Sequence, residues 1–203
     1  MLRIVLPVEA YALGCASGAY YLVRLRTGRD LRTLGSGNAG ARNAGRVLGS
    51  GGFAAALAID AGKGALVTWG AHALGMSDTV AVACAVAVIA GHVWPAQLGF
   101  RGGKGAATAL GVLLAYDTLL AVILVAVGLM VLAATRRLEV AGFAALLLAP
   151  IVGGALGHGM GAVIGLALMV AIVVTAHRSN ASSDAVSPNG APLTDLHGTQ
   201  ALP

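Results

Sequence analysis

Apolar residues in this chain run in long blocks rather than alternating with polar ones. Seven such stretches can be marked, at 4–23, 52–73, 79–95, 105–116, 118–134, 140–156 and 160–176. A helix crossing a bilayer upright needs about 20 apolar residues, so the blocks predict an all-α, polytopic membrane protein with seven transmembrane helices. The stretch 105–116 is too short to cross unaided. It is expected to borrow from its flanks, thin the bilayer or lie partly inside the bundle. Composition agrees: 58% of the 203 residues are hydrophobic and 10% charged, against about 25% charged in soluble domains. The 30 glycines suit close helix packing. A cleavable leader or a lipidated cysteine is disfavoured, because Glu9 interrupts the first apolar run and further spans follow.

The basic residues set the orientation. Arg24, Arg26, Arg29, Arg32, Arg42 and Arg46 lie between the first and second spans. Arg101 and Lys104 follow the third span, Arg136 and Arg137 the fifth, and Arg178 the seventh. The alternate connections, near 74–78, 117 and 157–159, carry no Lys or Arg. Cytoplasmic loops hold the excess of basic residues, so the N-terminus is expected outside and the C-terminus in the cytoplasm. Residues 183–203, rich in Ser, Pro, Asn and Gly, read as a disordered cytoplasmic tail after a membrane domain of 1–182.

Two polar segments on the cytoplasmic face carry candidate chemistry. One runs from Gly91 to Gly105 and contains His92, Pro95, Phe100, Arg101 and Gly102-Gly103-Lys104-Gly105. Glycines let backbone N–H groups approach an anion, and Lys104 adds a cation, which is phosphate-binding chemistry. The other runs from Gly28 to Arg46 and supplies Ser36, Asn38, Arg42, Asn43 and Arg46 among its glycines. Hydroxyl, amide and guanidinium donors suit a phosphorylated ligand; the outer arginines 24, 26 and 29 suit anionic lipid. Within the second apolar span, Asp60 and Lys63 stand three apart on one helix face. They read either as a structural pair or as the polar lining of the site, and Gly64 leaves room for a neighbouring helix. His72, Trp69 and Tyr116 suit the outer interface, and Trp94 the inner one.

Several chemistries are excluded. Gly35, Gly37 and Gly40 form a GxGxxG, with Asp60 twenty residues on, but a membrane span precedes it where a dinucleotide fold needs a strand. A Walker loop fails at Leu98 and Gly105. There is no His-Glu-x-x-His and no Gly-x-Ser-x-Gly, so metal catalysis and a nucleophile elbow have no support. Cys15 and Cys84 both fall in apolar spans, with no metal-binding spacing.

Together the motifs resemble the bacterial acyl-phosphate:glycerol-3-phosphate acyltransferase family (PlsY-type) from about Tyr11 to Asn180. The first family motif appears as Gly35-Ser36-Gly37-Asn38 with Gly40, Asn43 and Arg46. The second appears as Gly91-His92, Pro95, Phe100, Gly102 to Gly105 and Thr108, and the third as His177 and Asn180. The resemblance implies a seven-span protein of the bacterial inner membrane with its active site on the cytoplasmic face. It implies acyl phosphate and glycerol 3-phosphate as substrates and 1-acyl-glycerol 3-phosphate as product, the first step of phospholipid synthesis. No cofactor, metal or nucleic acid is expected, and the chain is expected as a monomer among membrane lipid.

Ser36, Lys104, His177 and Asn180 are the expected catalytic set. Gly35, Gly37, Asn38, Asn43, Arg46, His92, Gly102, Gly103, Gly105 and Thr108 are expected at the substrate phosphates. His92 and His177 are both candidate bases, and attack assisted by the substrate's own phosphate is an equal alternative. The chain departs from the family pattern at Arg42, where Thr is usual, and at Glu139 and Gly142, where two serines are usual. The missing hydroxyls leave open a binding or regulatory protein without turnover. A transporter of phosphorylated solutes is a further alternative, though it would require more polar groups at the midplane.

Overall fold

In the computed structural model, which describes residues 2–184, the chain forms eight α-helices and, among those residues, no strand. They are α1 (Leu2–Cys15), α2 (Gly18–Thr27), α3 (Ala41–Ala73), α4 (Asp78–Val93), α5 (Ala106–Tyr116), α6 (Thr118–Thr135), α7 (Leu138–Ala155) and α8 (Met160–Asp184). Four stretches are long and apolar enough to cross a membrane unaided: Asp78–Leu98, Thr118–Thr135, Leu138–Ala155 and Met160–Arg178. The other expected spans map onto α1 with α2, onto α3, and onto the 11-residue α5. Because α8 runs to Asp184, the tail expected from 183 lies, past that residue, outside the described residues.

Two boundaries differ from the hydropathy pattern. The apolar block 4–23 is not one helix but two, separated at Ala16 and Ser17, where Ser17 adopts an extended backbone. Hydropathy sees no change there because the residues on both sides stay apolar. The second span begins not at residue 52 but at Ala41, so Arg42, Asn43 and Arg46 stand in the first turns of a helix rather than in a loop. A kink at Gly49, with φ +75°, separates this entry segment from the rest of α3.

α4 is the axis of the bundle. It packs against α1, α8, α3 and α5, while α6 and α7 pair with each other on the flank and α7 leans on α8. The principal core gathers Val88 and Ile89 of α4, Val112 of α5, Leu120 of α6, and Leu166 and Met169 of α8. A smaller core holds Val23 of α2, Leu31 of the first loop, and Ala44 and Ala56 of α3, which anchors that loop.

Where lipid surrounds helices, association relies on close van der Waals approach rather than on the hydrophobic effect, and the glycines serve that purpose. A Cβ at Gly91 would meet the Tyr11 carbonyl of α1, and one at Gly14 the Val88 carbonyl of α4. Gly64 and Gly111 do the same for α3 and α5, against the carbonyls of Thr108 and Ala61. This seats the short α5 within the bundle. At the end of the bundle away from the glycine loops, Asp117 caps α6 through the Leu120 N–H at 3.0 Å and takes His158 Nε2 at 2.8 Å. The Tyr116 ring lies between His72 and His158.

Two glycines two residues apart in α3 should therefore respond oppositely to the same substitution. Gly62 has nothing within 4 Å of a built Cβ, so Gly62→Ala should stabilise by about 0.5–1 kcal/mol through helix propensity. Gly64→Ala drives its methyl into the Thr108 carbonyl and should destabilise by about 1–3 kcal/mol. Thermal midpoints of the purified variants in detergent check the pair.

Candidate functional site

The site is built on the break in the first helix. Ending α1 at Cys15 releases the last carbonyls of the helix, which need donors. Lys63 of α3 takes two of them, donating to Gly14 O at 2.8 Å and Ala16 O at 2.9 Å. Gln97 takes a third, donating from Nε2 to Cys15 O at 2.6 Å. On the other side of the break, Gly18 N donates to Asp60 Oδ1 at 3.0 Å. Lys63 and Asp60, 3.1 Å apart, are both buried. Of the two readings of this pair, the structure shows structural pairing.

His92 joins the same cluster. Its Nδ1 lies 2.9 Å from Lys63 Nζ, and the residue is 2% exposed. The same nitrogen lies 3.4 Å from Asp60 Oδ1, so it stands between the ammonium and the carboxylate. The other ring nitrogen, Nε2, faces Gly103, where a Cβ would collide with it. The histidine is thus a support beneath the second glycine loop.

That loop differs from the expected anion nest in one respect. Gly102 N donates to Val93 O at 3.0 Å and Gly103 N to His92 O at 3.1 Å, so both amides are engaged by the end of α4. These glycines are needed for close approach: a Cβ at Gly102 would meet the His92 carbonyl. Past them, Gly105 turns the chain with φ +80° into the first turn of α5. A helix start offers unpaired N–H donors to an anion, and Lys104 stands immediately before it. Lys104 has no hydrogen-bond partner among the described residues. Thr108 is fully buried in the first turn of α5, and its hydroxyl has no partner there.

The first loop is shaped by Asn43. Its buried amide Nδ2 donates to the carbonyls of Leu34 (2.8 Å), Asn38 (3.0 Å) and Leu31 (3.1 Å), and its Oδ1 accepts from Ser36 N (2.9 Å). Expected at a phosphate, Asn43 has its side chain taken up by the loop backbone instead. Gly35 follows from this, since at φ +55° a Cβ there would strike Asn43 Oδ1. The Arg46 side chain lies alongside, its Cδ 3.6 Å from that Cβ position. Ser36 and Gly37 are exposed at the tip, and Asn38 Oδ1 is buried without a partner among the described residues.

Arg32 ties the two loops together. It grips Asp30 through two nitrogens, at 3.0 and 2.7 Å, and donates from Nη1 to Leu98 O at 2.6 Å. The Arg32 hydrogen bonds hold the Asp30 carboxyl below the usual carboxylate range.

α8 closes the site. Gly105 packs against Val173, one turn before His177. His177 Nδ1 lies 2.7 Å from the Val173 carbonyl, so it is the donor, and in the neutral ring Nε2 keeps its lone pair. The charges of Lys104, Glu139 and Arg42 all act on the half-buried ring. The structure thus brings Lys104, His177 and the Ser36–Arg46 segment to one end of the bundle. It sets His92 and Asn43 into the framework behind them. Asn180 lies in α8 one turn past His177, and its side chain is outside the described residues.

Sequence reasoning missed the supporting roles of Gln97 and Arg32, and the contact of Arg42 with Glu139, in which Arg42 Nη1 donates to Glu139 Oε1. Arg32 and Gln97 stand out in the sequence only as polar residues of the connecting segments, and Arg42 and Glu139 only singly, as departures from the family pattern.

Comparison with known proteins places the whole membrane part. The family model described as glycerol-3-phosphate acyltransferase matches residues 4–183. Glycerol-3-phosphate acyltransferase 1 of Desulfitobacterium hafniense is 44% identical over 180 residues, covering 89% of each chain. The enzyme of that name from Clostridioides difficile is 36% identical over 182 residues, covering 87% of this chain and 89% of its own. Among solved structures, the glycerol 3-phosphate form of PlsY, an integral membrane glycerol 3-phosphate acyltransferase, superposes with a TM-score of 0.81 at 29% identity, covering 91% of this chain and 92% of its own. The lysophosphatidic acid form gives 0.78 at 26% identity with the same coverage.

Removing Lys63 tests the framework separately from the chemistry. Lys63→Met strands Asp60 and the Gly14 and Ala16 carbonyls and should destabilise by about 3–5 kcal/mol. The measure is the denaturant midpoint of the purified variant in detergent, and an unshifted midpoint contradicts the framework role.

Proposed function

This chain belongs to the glycerol-3-phosphate acyltransferase family, and on that premise we propose that it transfers a fatty acyl group from acyl phosphate to glycerol 3-phosphate. The observation carrying this reading is the grouping of Lys104, His177 and the Ser36–Arg46 segment around donors the fold leaves unengaged. Two anionic reactants need such a seat, and holding them together supplies much of the rate.

We assign Lys104 and the first N–H groups of α5 to a substrate phosphate, with Ser36, Asn38 and Arg46 opposite them. His177 Nε2 takes the proton of the glycerol hydroxyl as its oxygen forms a bond to the acyl carbonyl carbon. The carbon–oxygen bond to phosphate then breaks, and the proton passes from His177 to the departing phosphate. The ester and inorganic phosphate result, and the imidazole returns to its starting state. Lys104 and the helix start balance charge on the leaving group. His92 is the weaker candidate base, because its Nδ1 is engaged by Lys63 and its ring is buried.

The proposal includes seven crossings, with α1 and α2 sharing the first, an outside N-terminus and a cytoplasmic site in a bacterial plasma membrane. The distribution of arginines and the bacterial relatives support it.

Reconstituted into vesicles with palmitoyl phosphate and labelled glycerol 3-phosphate, the protein should form lysophosphatidate. Lys104→Ala should lower kcat/KM by about 10²-fold or more. His177→Gln should lower kcat by about 10²–10⁴-fold, with a smaller effect on KM. No product from the wild type, in vesicles where the Desulfitobacterium hafniense relative is active, sinks the reading.

A further inference from the structure

One charged contact beside the site joins segments far apart in sequence. The Arg42–Glu139 ion pair links the first turn of α3 to the first turn of α7. It is a poor brace, since the side chains are 49% and 62% exposed, and an ion pair so open to water adds little to stability.

Its surroundings suggest another task. Arg46 stands one helical turn from Arg42 on the same face of α3, over Gly35. Phe143, one turn after Glu139, packs edge-on against the His177 ring with centroids 4.6 Å apart. The charges of Arg42, Glu139 and Lys104 all reach that ring. With Arg137, the pair borders a hollow of about 410 Å³. Glu139 thus brings one negative charge into a group of cations beside the proposed base.

We propose that Arg42 is a further substrate-binding residue, and that Glu139 occupies its guanidinium as a stand-in for a substrate phosphate until the substrate displaces it. The carboxylate meets Arg42 through one nitrogen only. A phosphate dianion offers three oxygens, enough to engage the guanidinium fork and a second cation together. The released carboxylate has water to turn into. The inference deepens the acyl-transfer reading and rests on it for the identity of the phosphate ester.

The stand-in arrangement predicts effects of opposite sign. Glu139→Gln removes a competitor and should lower Kd and KM for the ester about two- to fivefold. Arg42→Ala removes a ligand and should raise them about tenfold or more. The double variant should match Arg42→Ala, and Arg42→Lys should fall between it and the wild type. Binding is measured by calorimetry in nanodiscs with glycerol 3-phosphate and, separately, with dodecyl phosphate as a non-reacting mimic of acyl phosphate. KM is measured for each substrate in turn, and the ester whose constants move identifies the phosphate that Arg42 meets.

A mere brace predicts that both variants shift the constants in the same direction, or in neither, and either result overturns the proposal. So does a wild type that retains neither ester at millimolar concentration. Opposite binding shifts in a protein that does not turn over uphold the role of Arg42 and remove acyl transfer. Turnover with the same constants in every variant does the reverse.

Discussion

The Lys63 ammonium is the point from which the active end of the molecule is laid out. A helix broken against its packed neighbours leaves backbone groups that are costly to bury without partners, at about 1–3 kcal/mol each. Lys63 Nζ takes the carbonyls of Gly14 and Ala16 and also meets Asp60 and His92. Four partners around three N–H donors leave nothing for a ligand. What the arrangement gives is geometry. The break turns α2 toward the first loop, and the same ammonium sets the histidine ring on which Gly103 rests. Both loops are therefore referenced to one nitrogen atom, with Arg32 and Gln97 as outer ties.

The glycines have two separate tasks that look alike in a sequence. Gly102 and Gly103 look like an anion nest, yet their amides are bound to the last carbonyls of α4. Their lack of a side chain lets the loop lie flat on His92 and the end of α4. The donors left without a partner among the described residues are instead Lys104 and the start of α5, just past the turn at Gly105. Asn43 makes the corresponding arrangement in the first loop, where Gly35 exists to clear its amide.

Much of this was legible in the sequence, and the losses share one cause. Long apolar blocks locate α4, α6, α7 and α8 closely, because a bilayer imposes both length and composition. The two glycine loops and His177 announce themselves by interrupting hydrocarbon. The break at Ser17 does not, because it is stabilised by residues such as Lys63, whose two carbonyl partners are 47 and 49 positions away. The same holds for Arg42 and Glu139, 97 positions apart. Each was a departure from the family pattern when read singly, and together they form one contact. Periodicity and motif spacing report on near neighbours along the chain, whereas these features are set by which helices lie side by side.

Two lysines show how one side chain serves two purposes. Lys63 is buried and saturated, so its charge is balanced by Asp60 and it cannot follow a substrate. Lys104 is half-buried at the rim and has no partner among the described residues. Its ammonium is consequently undercommitted in a place where solvent is only partly excluded, so an arriving phosphate displaces little and meets a charge weakly screened by water. In the proposed reaction, acyl phosphate brings its own leaving group, so the protein need not form a covalent intermediate. It has to hold two anions close despite their repulsion, and that calls for cations that do not move as charge shifts during the reaction. A rigid, internally satisfied lysine behind the loops is what permits an unsatisfied one in front of them.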